Sequence, residues 1–208
     1  KTIVFSGYFS GDENKKKLRY LEKVDMELRK RGCCFLLLNL GLGVPETTLE
    51  FTCIPKVPSI EIPLLRSRES SPLMKQAVSV ESGFHQISQR QAELRLKIFR
   101  IFVNQHFTKN MIVLCVMWHK FNGYHYALTD ICKLWGIPYF YTEYGIMPGT
   151  ISFDKNGQMA ESWVAKQATK FNALPICDSD LKKTHHFLNH VRKLKTTHKS
   201  QEASFSIK

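Results

Sequence analysis

A chain of 208 residues, 43% of them hydrophobic, can bury an ordinary core, so it reads as a globular domain, with room for a small appendage, and not as a disordered chain. No apolar run approaches the roughly 18 residues that a membrane span needs, and residues 1–7 hold too short an apolar segment for a signal peptide. The formal net charge of +12 favours an anionic partner, whether nucleic acid, a membrane surface or a phosphate-bearing small molecule, without choosing among them.

In chain order, residues 2–5 are β-branched and apolar and end at Ser6-Gly7, which predicts a first strand. Residues 13–31 carry Leu18, Leu21, Val24 and Leu28 close to helical spacing, and Gly32 stops the helix. Residues 33–40 are apolar apart from Asn39, as in a strand covered on both faces. Strand, helix and strand at this spacing predict a right-handed βαβ unit and a parallel sheet. Between residues 44 and 72, prolines at 45, 55, 58, 63 and 72 dissolve the pattern. This long loop has two readings, a surface loop or an acceptor-binding lid, with a short edge strand near residues 51–54.

Periodicity returns with a helix over 88–107, a central strand over 111–117, a helix over 124–135 stopped by Gly136, and a strand over 137–141. The loops after Trp118 and after Tyr141 belong to consecutive βα units and are expected side by side. Residues 151–153 predict a short strand, Asp154-Lys155-Asn156-Gly157 a turn, and residues 180–195 a last helix capped by Asp178 or Ser179. The expected fold is therefore α/β, a single Rossmann-like domain over 1–195 with its parallel sheet flanked by helices, followed by a basic and polar tail over 196–208.

Six cysteines occur without C-x-x-C spacing, mostly inside apolar runs, which is the pattern of reduced, buried thiols in a cytosolic protein. His185, His186 and His190 sit at helical spacing but lack the glutamate of a metalloprotease helix, so they read as a solvated basic face and no metal site is expected. No recognised nucleic-acid module occurs, so no nucleic-acid partner is expected.

The chemistry-bearing stretch is residues 118–162. Ligands of α/β sheets bind beyond the carboxyl ends of the strands, and Glu143 follows an apolar run there, inside a Gly/Pro-rich segment. A carboxylate at that address suits general acid or base work, sugar-hydroxyl binding or metal ligation. His119, on the neighbouring loop, can complement it by bonding a phosphate or sharing a proton. The backbone N–H groups of Gly149 and Thr150 can cradle an anion. Ser6 and Gly7 open a loop whose glycines either let backbone approach a ligand or simply make a tight turn.

This stretch resembles the signature region of the bacterial capsule and lipopolysaccharide polysaccharide biosynthesis glycosyltransferases (KpsC/KpsS-like and WbbB-like retaining Kdo transferases). The family has an E-x-G-x-x-P-G-T segment, then D-x-x-G and a closing serine. Here these are Glu143, Tyr144, Gly145, Pro148, Gly149 and Thr150, then Asp154, Gly157 and Ser162, and Trp118 to Asn122 resembles the family's strand end. The resemblance covers about 45 residues and implies one Rossmann-like half of a GT-B glycosyltransferase, with Glu143 as an active-site carboxylate. It further implies transfer of Kdo from CMP-Kdo to a glycan or glycolipid acceptor, with no cofactor beyond the nucleotide sugar. A second Rossmann-like domain outside this chain is expected, as is a cytoplasmic location, with peripheral association at the inner membrane. The rival expectation is a non-catalytic basic module that binds an anionic glycan, lipid or nucleotide.

Overall fold

The computed structural model describes residues 1–9, 11–41, 43–55, 71–107, 111–144, 151–157, 161–175 and 177–194, the side chains of residues 13, 171 and 190–194 apart. Its strands are β1 (Thr2–Gly7), β2 (Cys34–Asn39), β3 (Glu50–Cys53), β4 (Ile112–Trp118), β5 (Tyr139–Tyr144) and β6 (Ile151–Asp154). Its helices are α1 (Lys15–Arg29), α2 (Pro72–His85), α3 (Gln89–His106), α4 (Gly123–Trp135), α5 (Trp163–Lys166), α6 (Ala168–Asn172) and α7 (Asp178–Leu194). The strands form one sheet in the order β3-β2-β1-β4-β5-β6. β3 pairs parallel with β2, and β1 parallel with both β2 and β4. The expected α/β class with parallel strands flanked by helices is the architecture observed. By compactness the chain divides into two units, Lys1–Tyr141 and Thr142–Lys208.

In the first unit, strand alternation distributes apolar side chains to both faces of the sheet. Val4, Leu38, Cys115 and Met117 join one buried cluster with Met74 and Ala77 of α2, Leu96 and Phe99 of α3, and Leu128 and Ile131 of α4. The intervening residues Phe5, Leu37 and Val116 are also buried but stand outside that cluster. On their side Phe5 meets Phe35 with ring centres 5.9 Å apart, and α1, packed along β2, buries Leu18 and Leu21. Each such side chain contributes about 1.5–3 kcal/mol on burial. Asp25 fastens α1 to the start of β2, accepting the Phe35 N–H at 2.7 Å and Arg29 Nε at 2.6 Å.

α2 is an element that the periodicity reading did not anticipate. Ser71 caps it, accepting the Met74 N–H at 3.2 Å while donating to Asp130 of α4 at 2.6 Å, and Pro72 takes the first turn, where its missing N–H costs nothing. Pro72 therefore starts a helix instead of closing a loop. The expected edge strand is Glu50–Cys53, with Phe51 opposite Leu37 of β2. The remainder of the proline-rich segment, residues 56–70, with its lid reading, lies outside the described residues, as does the tail, 196–208.

In the second unit one expectation is corrected: Glu143 lies on a strand and not in the loop that follows it. β5 continues through Thr142 to Tyr144 because β6 takes up its edge groups. Thr142 Oγ1 donates to the Ser152 carbonyl at 2.9 Å, and Ser152 Oγ to the Glu143 carbonyl at 3.4 Å. Among the described residues, no helix is long and apolar enough to cross a membrane.

Candidate functional site

Strand order reverses at β1. The chain moves outward through β2 and β3, then returns to lay β4 on the other side of β1. At such a reversal the loops leaving the two central strands diverge and open a crevice at their carboxyl ends, the usual ligand address of a parallel α/β sheet. At the carboxyl ends of β1 and β4, where this crevice is expected, stand Ser6, Gly7 and Tyr8 on one side and Trp118, His119, Lys120 and Asn122 on the other.

A buried histidine holds these two ends together. His125, in the first turn of α4, is fully buried. Its Nδ1 bonds the His119 carbonyl at 2.5 Å, and its Nε2 lies 3.1 Å from Ser6 Oγ. A carbonyl only accepts, so Nδ1 carries the proton and Nε2 accepts from the serine hydroxyl. Burial pushes His125 down to about 3, so the ring is neutral at ordinary pH. The clamp fixes a backbone that a histidine would otherwise avoid: His119 has φ +68°, the left-handed region, at a cost of about 1–2 kcal/mol. Strain of this kind survives where surrounding contacts over-determine it.

Gly7 completes the closure. A Cβ there would stand 3.0 Å from Trp118 Cβ and 3.1 Å from Phe9 Cζ, so the absence of a side chain lets β1 and β4 end side by side. The Ser6 hydroxyl is buried and engaged by His125. Around the rim, Lys17 from α1 sits over the Trp118 ring at 4.3 Å and bonds Asn14 Oδ1 at 2.7 Å. Lys120 lies 5.7 Å from the Tyr141 ring centre. Asn122 caps α4: its Oδ1 accepts the Tyr124 N–H at 2.8 Å, and its Nδ2 donates to the Tyr8 hydroxyl at 2.8 Å.

Behind Tyr8 and the start of α4 stands Glu81 of α2, only 1% exposed. Arg95 and His85 both lie 3.5 Å from it, at the outer edge of hydrogen bonding. Burial raises the Glu81 carboxyl above its ordinary range against the pull of those two neighbours. Its charge in turn joins burial in raising Tyr8 and in pushing Tyr124 up to about 12.

The structure thus brings Ser6, Gly7, His119 and Asn122 of the expected site residues to one crevice in the first unit. The others fall in the second. Glu143 is half-buried, and burial raises its carboxyl above the usual range. Tyr144 is exposed at the end of β5. Asp154 and Ser162 meet at the start of α5, where each serves the backbone. Asp154 accepts the Asn156 N–H at 2.7 Å and the Trp163 N–H at 2.6 Å, and Ser162 Oγ accepts the Ala165 N–H at 3.0 Å. Gly145, Pro148, Gly149 and Thr150 lie outside the described residues. Among the described residues, no group of three or more His, Cys, Asp or Glu side chains could hold a metal ion.

Sequence reasoning missed Tyr8, Glu81, Arg95 and His125. A signal existed for the helix that carries Glu81, since Ser71-Pro72 is a cap followed by an N1 proline. None existed for His125, whose partner Ser6 is 119 residues away.

Comparison of the chain with protein-family models, curated proteins and solved structures gives no match.

Proposed function

We propose that this chain is a glycosyltransferase domain of bacterial surface-polysaccharide biosynthesis, of capsule or lipopolysaccharide O-antigen, and one Rossmann-like half of a GT-B arrangement. It transfers Kdo from CMP-Kdo to a glycan or glycolipid acceptor at the cytoplasmic face of the inner membrane. A companion Rossmann-like domain supplies most of the nucleotide surface. The observation that carries the reading is the crevice where strand order reverses, edged by His119, Lys120, Asn122 and Lys17, since polar and cationic groups at the carboxyl ends of parallel strands suit a phosphate-bearing ligand.

Glu143 is the acid–base group of this reading, because a carboxyl raised by burial moves toward the pKa at which proton transfer near neutrality is most effective. The acceptor hydroxyl oxygen bonds to the anomeric carbon of Kdo and the bond from that carbon to the CMP phosphate breaks. CMP leaves with the electron pair, and the hydroxyl proton passes to the carboxylate.

Two measurements test this. Calorimetric titration of the chain with CMP-Kdo and with CMP should give saturable binding that weakens in Glu143→Ala. In the transferring enzyme, Glu143→Gln should lower turnover by about 10²–10⁴-fold while leaving the fold intact. Near-normal turnover sinks the assignment. A second reading draws on the exposed basic side of α7, with Lys182, Lys183, His185 and His186: a module that holds an anionic glycan without chemistry. It requires binding that is strongly salt-sensitive and indifferent to Glu143.

A further inference from the structure

The hydrogen bonds around Asn122 fix the role of a hydroxyl that the sequence did not single out, that of Tyr8. The Asn122 amide has a determined orientation: its oxygen is taken by the Tyr124 N–H, so its Nδ2 must be the group that faces Tyr8. Because that nitrogen donates, the Tyr8 oxygen is the acceptor of the pair, and the phenolic proton is what Tyr8 has left to offer. Tyr8 directly follows β1 at the strand reversal and is 38% exposed, so this donor stands at the crevice and not in the core.

The groups around Tyr8 suit the same task. Burial raises the phenol, and the Glu81 carboxylate adds to the effect against the Asn122 hydrogen bond and Arg95, which lower it, so the hydroxyl remains protonated and a donor well above neutral pH. The Glu81 charge is itself faced by Arg95 of α3 and His85 of α2. Gly123, the first residue of α4, packs directly on Glu81, where an added Cβ would lie 2.7 Å from Glu81 Cβ. Glu81, although buried, thus acts on the crevice through Tyr8. The first turn of α4 and Lys17 bring positive potential to the same rim.

The geometry points to Tyr8 as a ligand-binding residue that donates its hydroxyl proton to a phosphate oxygen bound between the carboxyl ends of β1 and β4, with Asn122 and Glu81 as the residues that position it. The identity of the phosphate as part of a nucleotide sugar rests on the function proposed above.

The test is calorimetric titration of the chain and of Tyr8→Phe with CMP-Kdo, CMP and inorganic phosphate at fixed ionic strength, with melting temperatures alongside. Phenylalanine keeps the ring and removes only the donor. The expected result is a roughly tenfold loss of affinity for the phosphate-bearing probes at an unchanged melting temperature. The wild-type affinity should also fall as pH rises through the Tyr8 ionisation, and this fall should be shallower in Tyr8→Phe, where only the rim lysines still titrate, an effect that a packing role would not produce. Equal affinity of the two proteins for every probe overturns the assignment and leaves the glycosyltransferase reading standing. If inorganic phosphate binds in a Tyr8-dependent way while CMP and CMP-Kdo bind no better, Tyr8 keeps its role and the nucleotide-sugar reading falls. Failure of all three probes to bind the wild-type chain overturns the Tyr8 assignment and leaves the donor site to the companion domain of the proposed glycosyltransferase.

Discussion

The two units of this chain handle burial in opposite ways. Lys1–Tyr141 buries apolar side chains on both faces of its strands and satisfies its buried polar groups across long sequence separations, Ser6 with His125 and Asn39 with the Phe9 N–H. In Thr142–Lys208, only Thr142 and Gly157 are buried among the described residues. Trp163, Val164, Leu174, Leu181 and Phe187 are exposed there. The motif that resembles the glycosyltransferase family is split between them, with Trp118 to Asn122 in the first and Glu143 to Ser162 in the second. Burial is concentrated in the first unit, whereas Glu143, the carboxylate candidate, sits where little is buried. Local opening costs least in regions with few buried apolar contacts, and functional segments are often drawn from them.

The sharpest way to break this comparison is a matched pair of truncations. Phe99 is 1% exposed with its ring centre 5.0 Å from that of Tyr124, so Phe99→Ala should cost about 3–5 kcal/mol in urea unfolding. Phe153 is 55% exposed, and Phe153→Ala should stay within about 0.5 kcal/mol. Comparable losses would mean that the second unit has a core of its own.

Next in size is Gly123→Ala. The added methyl would lie 2.8 Å from Glu81 Oε2 and 2.9 Å from the Ala77 carbonyl, so α2 and α4 must move apart. A loss of about 1–3 kcal/mol is expected from such overpacking, read as a lower denaturation midpoint. An unchanged midpoint would mean that α2 is not held against α4.

The third effect is resolved by pH. His125 is held neutral, with its ionisation depressed from about 6.5 to about 3. In that window the unfolded chain binds the proton and the folded one does not. Stability is therefore intact above about pH 6.5 and falls as pH drops toward 3, by at most about 1.4 kcal/mol per pH unit from this residue. His125→Gln should flatten that part of the profile in unfolding experiments across the acid range. An identical slope in both proteins would remove His125 as the acid-sensitive link between β1 and β4.

Much of the fold was legible because local pattern carries it. The apolar run at residues 33–40, the helical spacing across 88–107 and the glycine stops at Gly32 and Gly136 identified β2, α3, α1 and α4 from short-range constraints alone. α2 escaped because the proline at its start reads as a break unless the serine before it is recognised as a cap. The strand end at Tyr144 was misjudged because Thr142 and Glu143 are polar, and only the edge contacts supplied by Ser152 extend β5 through them.

The sequence by itself thus determined the strands, most of the helices and the acidic candidate Glu143. Periodicity and turn chemistry act over a few residues and can be read wherever they occur. What only the tertiary structure decided is the crevice: which strands lie side by side, that His125 reaches Ser6 and fixes His119 in a left-handed backbone, and that Glu81 and Asn122 converge on Tyr8. Apart from His125 with His119, these pairings join residues tens to more than a hundred positions apart, and their energy exists only after the chain has closed the intervening loops, so no local pattern announces them.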